Sequence, residues 1–476
     1  PKHPYSHRLP PVIVTPESLT SLSLVTCLTK YGIVLDAGSS HTSLYIYQWP
    51  AEKDNNTGRV EQKHHCQVAG KGISSYTATP YKAGESLISC LKEAKENIPQ
   101  KMHPETPLYL GATAGMRLLK LENSSASDEV FKAVEKTLRG FPFSYQGARL
   151  LAGQEEGAFG WVTVNYLDDR LTQVSMGGFK YTSVHGNESG LETTGALDLG
   201  GASTQISFVS DEYNGSESPD NAVSFRLYGY DYTLYTHSFL CYGKDQALRL
   251  SGPTAIMDPC FHKGYNETKH YAAVYDSPCV SDQKPQIVSE TFIHLGGGNF
   301  TQCQEVIKSV FNFTSCRYSR CSFNGIFQPP LQGQFGTFVL FIYTQRFLII
   351  SIHFSPSQRL QIKKEHDIPL KYLAEYCFSG TYILTLMMEG YNFTSETYSS
   401  IKYIQKVSCD AGWTLGYMLN LTNMIPAEAP DSPPLTYTSY VSVVTVMAIL
   451  LFVIFILILY SLCALLIQIM PILGNI

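Results

Sequence analysis

Asp36-Ala37-Gly38-Ser39-Ser40-His41-Thr42 and Asp198-Leu199-Gly200-Gly201-Ala202-Ser203-Thr204-Gln205 carry one chemical pattern twice. Each places a carboxylate just ahead of a glycine turn and short hydroxyl side chains. Glycine lets backbone N–H groups close on an anion, and Ser and Thr add short donors. A carboxylate repels a phosphate chain, so Asp36 and Asp198 are expected to face a divalent cation, directly or through its water. One such loop has the composition of an ordinary hairpin turn. Two at domain-scale separation point to a duplicated fold that presents both to one nucleotide.

Three further runs could join them. Leu110-Gly111-Ala112-Thr113-Ala114-Gly115-Met116-Arg117 reads as a strand end feeding a helix whose N-terminus could face phosphate. Gly153-Gln154-Glu155-Glu156-Gly157-Ala158-Phe159-Gly160-Trp161 sets two carboxylates at the head of a helix, where one could serve as a general base for water. The same charges also complement a helix dipole. Asp410-Ala411-Gly412-Trp413-Thr414-Leu415-Gly416-Tyr417-Met418-Leu419-Asn420 reads as a helix that packs near a cleft between domains.

The elements that must position these residues follow from the apolar pattern. Within Tyr31–Trp49, Ile33, Val34 and Leu35 form a buried strand and alternation resumes at Leu44–Tyr47, with the glycine turn between them. Ala196–Phe208 repeats this strand, turn and strand.

Composition bounds the class. The chain has 476 residues, a formal net charge of −5, 44% hydrophobic and 16% charged residues. The charge excludes a nucleic-acid-scale positive field, and the apolar content excludes a disordered chain. From Ser432 onward there is no charged residue, and Tyr440–Tyr460 is a run long enough to cross a bilayer as a helix. Nine Asn-x-Ser/Thr sites precede that tail, at Asn55, Asn123, Asn187, Asn214, Asn266, Asn299, Asn312, Asn392 and Asn420. Twelve cysteines without CxxC zinc spacing favour disulfides. Together these place the body outside the cell or in the secretory lumen, with a short cytosolic end. Val12–Thr29 is only patchily apolar and is interrupted by Pro16 and Glu17, so it makes neither a good signal peptide nor a good span.

In order and spacing, the five runs resemble the conserved regions of the ecto-nucleoside triphosphate diphosphohydrolases, the ecto-apyrases. The resemblance extends from Tyr31 to Glu428. Tyr235–Leu248, Cys321–Gly333 and Ala411–Glu428 are most similar to the type-1, vascular branch of that family. The resemblance implies an α/β fold of two ribonuclease-H-like lobes, as in actin, Hsp70 and sugar kinases, plus a C-terminal transmembrane helix. The expected division is 1–30 irregular, with the family's first span absent, 31–152 lobe I, 153–408 lobe II and 409–430 a return to lobe I. A linker at 431–438, a membrane helix at 439–467 and a short tail at 468–476 follow.

The resemblance also implies a role for each motif residue. Glu156 matches the catalytic base, and Ser203 and Gln205 match the residues that place the attacking water. Asp36 and Asp198 match the carboxylates that organise Ca²⁺ or Mg²⁺. Gly38, Ser39, Ser40 and His41 match one phosphate loop, Gly200, Gly201 and Ala202 the other, and Thr113 a third phosphate contact. Tyr343 and Tyr372 match an aromatic sandwich around the base. The implied disulfides are Cys66–Cys90, Cys241–Cys279, Cys260–Cys303 and Cys316–Cys321. The implied activity is stepwise hydrolysis of ATP to ADP to AMP at the cell surface, controlling purinergic signalling. Its partners are extracellular ATP, ADP, UTP and UDP and the lipid bilayer, with room for a homo-oligomer through the membrane part.

The chain departs from the family between Phe347 and Tyr372, where it is shorter and lacks the usual partner of Cys377; Cys409 is an extra cysteine. An altered segment there puts the base pocket, not the phosphate loops, in question. It leaves an alternative open: a catalytically impaired glycosylated surface protein on the same scaffold. An actin-like kinase would need a cytosolic setting, against the nine glycosylation sites. The diphosphate-preferring lumenal branch tends to lack the C-terminal span.

Overall fold

The computed structural model describes residues 29–51, 60–171, 193–227, 230–252, 257–284, 290–337, 370–403, 412–422 and 437–473, with the backbone alone at 370–373, 403, 437–440 and 462–473. Two mixed sheets repeat one topology. The first uses β1 (Thr29–Ala37), β2 (Thr42–Pro50), β3 (Glu61–Gln67), β4 (Pro107–Ala112) and β5 (Ser144–Leu150) in the order β3-β2-β1-β4-β5. β1–β2 and β2–β3 are antiparallel, while β1–β4 and β4–β5 are parallel. The second uses β6 (Gly195–Leu199), β7 (Ser203–Val209), β8 (Ala222–Leu227), β9 (Tyr230–Leu240), β13 (Phe335–Thr337) and β14 (Lys402–Tyr403) in the order β14-β13-β6-β7-β9-β8. Its β9-β7-β6-β13-β14 portion has the same senses of pairing, and β8 adds an outer hairpin strand. This is the ribonuclease-H-like order, present twice. A small sheet of β10 (Met257–Asp258), β11 (Asn266–His270) and β12 (Thr291–Gly296) is inserted into the second half.

Each central strand is covered on both faces, which is why β1 reads as a continuous apolar run rather than an alternation. Ile33, Val34 and Leu35 are fully buried. In the first lobe the cover comes from α1 (Pro80–Ser86), α2 (Ile88–Asn97), α3 (Ala114–Glu122) and α4 (Ser124–Arg139). Leu87, Leu91, Val130, Val134 and Leu138 close that core. The second lobe is closed by α6 (Lys244–Leu250), the helix Phe300–Ser309 and the helix Leu370–Thr385, with an aromatic core that includes Phe208, Tyr235, Phe323 and Tyr382.

A third core joins the halves. α5 (Gly153–Leu167) is buried along most of its length. It packs on β6, β7 and β9 on one side and on the helix Trp413–Leu421 on the other. Val34, Tyr47 and Trp49 of the first sheet share this core with Phe159, Trp161, Trp413 and Met418. The fit is close: a Cβ added to Gly416 would lie 2.1 Å from the Phe159 carbonyl oxygen.

Cys66–Cys90, Cys241–Cys279, Cys260–Cys303 and Cys316–Cys321 are bridged. The helix Tyr437–Leu473 has an exposed apolar stretch, Val441–Ser461, of 21 residues. At ~1.5 Å per residue that length suffices to cross a ~30 Å hydrocarbon layer.

Candidate active site

Asp36 and Asp198 are each the next-to-last residue of the first strand of their sheet. The turn after β1 is held from two sides. The Gly72 N–H donates to the Ser40 carbonyl at 3.1 Å, and an added Cβ on Gly115 would come within 2.7 Å of Ser39 Cα. The turn after β6 rests on the start of α6. The N–H groups of Lys244 and Asp245 donate to the carbonyls of Gly200 and Gly201, each at 2.9 Å. The two turns meet, since a Cβ at Gly201 would sit 2.7 Å from Ser39 Oγ and 2.8 Å from Asp245 Oδ2. Gly38, Ser39, Ser40 and His41 thus lie beside Gly200, Gly201 and Ala202. Thr113 stands at the start of α3 with its N–H on the Ala37 carbonyl at 3.1 Å, which adds a helix N-terminus to the same place.

Carboxylates converge behind these turns. Asp36, Glu156 and Asp198 are held mainly by burial above the usual carboxylate range. Glu156 is pushed up to about 7 and Asp198 to about 6. The charges of Glu156 and Asp198 push Asp36 up further, and the nearby Trp413 indole opposes this. Asp36 Oδ1 is buried without a hydrogen-bond partner. Clustered buried carboxylates repel one another and cost several kcal/mol unless neutralised, on the order of the ~3–5 kcal/mol measured when a buried charge loses its partner. Their hard oxygen donors and the orphaned Asp36 oxygen suit a hard divalent cation.

Glu156 lies in the first turn of α5, where Gly157 lets the helix approach β7 and β9. A Cβ there would meet Ser207 Oγ at 2.5 Å and Thr236 Oγ1 at 2.6 Å. The Arg117 guanidinium donates to Glu156 Oε2 in a buried ion pair and reaches Ser203 Oγ at 3.2 Å and Ser238 Oγ at 3.3 Å. Gln205 Nε2 lies 3.2 Å from Glu156 Oε2, 2.8 Å from Ser203 Oγ and 2.9 Å from Ser238 Oγ. Gln205 Oε1 is buried and unpartnered, an acceptor beside the carboxylate that a water O–H could satisfy. Glu155 does a different job. Its carboxylate takes Arg149 Nη1 at 2.9 and 3.0 Å and the Ala152 N–H at 3.0 Å, which fixes the start of α5.

Nothing in the sequence pattern alone assigns Arg117 or Ser238 a role. Arg117 has one signal, its place four residues after Thr113 on the helix that Thr113 starts. Ser238 had none, because it arrives only through the register Asp198↔Gln205↔Ser238 across β6, β7 and β9. Tyr343 lies outside the described residues. Tyr372 belongs to the helix Leu370–Thr385, and its side chain also lies outside them.

Two ribonuclease-H-like halves with paired glycine turns make an actin-like fold, and its centre holds a buried carboxylate beside an amide and two hydroxyls. The chain belongs to the GDA1/CD39 (nucleoside phosphatase) family, whose model matches residues 26–434. It is 48% identical over 434 residues to mouse ectonucleoside triphosphate diphosphohydrolase 1, covering 86% of this chain and 84% of that one. Rat ectonucleoside triphosphate diphosphohydrolase 8 is 47% identical over 423 residues, 84% of each chain. The crystal structure of nucleoside triphosphate hydrolases from Neospora caninum shares the fold. Its TM-score is 0.53 at 14% identity, covering 83% of this chain and 93% of that one. The chain is therefore a hydrolase of the apyrase class, with nucleotide phosphatase activity.

Proposed function

We propose that this chain hydrolyses nucleoside tri- and diphosphates, ATP to ADP to AMP, through a water activated by Glu156. The position of Glu156 carries this reading: buried, raised to about 7, and bonded to Gln205 within reach of Ser203. A base whose proton affinity lies near neutral pH is matched to deprotonating water there. Glu156 accepts the water proton as the oxygen attacks the terminal phosphorus. The phosphoanhydride P–O bond breaks, and ADP or AMP leaves with inorganic phosphate. Ser203 and the Gln205 amide orient the water, and no covalent enzyme intermediate is required. Arg117 leaves Glu156 for the incoming phosphate oxygens, which frees the carboxylate and offsets the charge that develops.

The backbone of Gly38–His41, Gly200–Ala202 and Thr113 grips the phosphate chain from both lobes. Asp36 and Asp198 would hold Ca²⁺ or Mg²⁺, directly or through water. When bound, that ion supplies the positive charge that lets buried carboxylates and a polyphosphate share one cleft. Tyr343 and Tyr372 would stack on the base, which tolerates uridine as well as adenine and so admits UTP and UDP. The body, 31–430, would face the exterior and act on extracellular nucleotides, so tuning purinergic signals. The helix anchors it in the cell membrane, where it could also pair copies of the chain.

Intact cells expressing the chain should release phosphate from added ATP and ADP with Ca²⁺, AMP should accumulate, and EDTA should abolish the activity. Activity only after permeabilisation contradicts the outward orientation. Activity that persists in EDTA contradicts the cation. Nucleotide binding without turnover would favour an impaired surface protein.

A further inference from the structure

The small sheet β10-β12-β11 has two unlike faces. One packs Phe292 and His294 against Phe261, Tyr265 and Tyr271. The other points to solvent and is apolar at its centre: Met257 is 58% and Ile293 53% exposed, and Leu295 is half-buried between them. An exposed apolar row of this kind is a surface on which a cover can rest. The register shows what stands over it. Residues opposite one another in neighbouring strands project from the same face, ~4.5–5.5 Å apart at Cβ. Asn266 pairs with Leu295, and Leu295 pairs on its other side with Met257. Thr268 pairs with Ile293. Asn266-Glu267-Thr268 is an Asn-x-Thr acceptor, so its Asn and its Thr both stand on the apolar face. Both are exposed.

We infer that Asn266 carries an N-linked glycan whose first sugars lie on this face and cover Met257, Ile293 and Leu295. The inference rests on the extracellular placement proposed above. In the transfer, Asn266 Nδ2 bonds to the anomeric carbon of a lipid-linked oligosaccharide. The C–O bond to its diphosphate breaks, the lipid diphosphate leaves and one amide proton is released. The C–H faces of the core sugars match the Met, Ile and Leu side chains, while their hydroxyls turn to water. Asn299 is a close rival in space, since a Cβ on neighbouring Gly297 would lie 3.2 Å from Met257 Cγ. Its Oδ1, however, accepts from the Gln302 N–H and caps the helix Phe300–Ser309, so its amide is engaged at a helix start and not in the strand row.

The test uses the full chain on intact cells, with glycopeptide mapping and brief peroxide treatment. Oxidation of Met257 to the sulfoxide is read against buried Met116. In the wild type, Asn266 is occupied and Met257 is protected. Asn266→Gln and Thr268→Ala each expose Met257 to several-fold faster oxidation, while Thr268→Ser and Asn299→Gln leave it protected. ATP hydrolysis stays unchanged in all four. An unmodified Asn266 among occupied sites overturns the inference, as does equal Met257 oxidation in wild type and Asn266→Gln, which points to a bilayer or a second copy as the cover. If all nine sites are bare, the extracellular placement itself fails.

Discussion

Arg117 and Glu156 form a buried ion pair, with side-chain exposures of 12% and 8%. The pair spans the two lobes, since α3 belongs to the first and α5 packs on the sheet of the second. Burial drives the Glu156 proton affinity up, and the guanidinium, by charge and by hydrogen bond, holds it down.

Replacing Arg117 should therefore move the pH profile as well as the rate. In Arg117→Met the Glu156 carboxyl rises further above about 7. The acidic limb of kcat/KM shifts to higher pH, and kcat falls because phosphate loses a cation. Arg117→Lys should recover part of the shift but little of the rate, because an ammonium cannot reproduce the forked contacts to Glu156 and Ser203. An unchanged acidic limb in Arg117→Met contradicts this assignment.

Stability should depend on pH and cation together. Asp36, Glu156 and Asp198 hold protons more tightly in the fold than in the unfolded chain. The native state then binds more protons, so their contribution is fully present below the unfolded carboxylate range and is lost as pH rises through about 6 and about 7. In EDTA the melting temperature should fall across that window, and Ca²⁺ or Mg²⁺ should flatten the fall. A cation-independent slope, or one that rises with pH, contradicts the cluster as drawn.

The joint between the lobes should be sensitive to single carbon atoms. Gly416→Ala puts a methyl 2.1 Å from the Phe159 carbonyl, whereas at Gly412 nothing lies within 4 Å of the added carbon. Overpacking of this kind typically costs ~1–3 kcal/mol. Thermal unfolding should show Gly416→Ala several degrees below wild type and Gly412→Ala close to it. Equal melting temperatures would contradict the packing of α5 on the helix Trp413–Leu421.

What the sequence disclosed was whatever local chemistry controls. The two Asp-Gly turns were legible because strand alternation brackets them, and their repetition announced the doubled sheet. Glu156 beside Gly157 reads by itself as a charge that complements a helix dipole, and only the family resemblance singles it out from Glu155. Arg117 and Ser238 were hidden for the opposite reason. Their contacts to Glu156 and Gln205 span 39 and 33 positions and exist only once strand register and helix docking are set. The separate job of Glu155 was equally hidden, because its partner Arg149 is chosen by the turn into α5. The small sheet and its solvent-facing apolar side left no trace at sequence level, since Met257, Ile293 and Leu295 become neighbours only through pairing. Tyr343 and the altered stretch before Tyr372 lie outside the described residues.

The most direct test of the account compares Glu156→Gln with Glu155→Gln in the full membrane protein, measuring steady-state ATP and ADP hydrolysis alongside nucleotide binding. Loss of a general base typically costs ~10²–10⁴-fold in rate. Glu156→Gln should lose kcat on that scale and keep its affinity for nucleotide. Glu155→Gln, which gives up an exposed ion pair and one N-terminal helix contact, should retain most of its kcat. Equal losses from the two substitutions, or an active Glu156→Gln, would contradict the assignment of Glu156 as the residue that activates water.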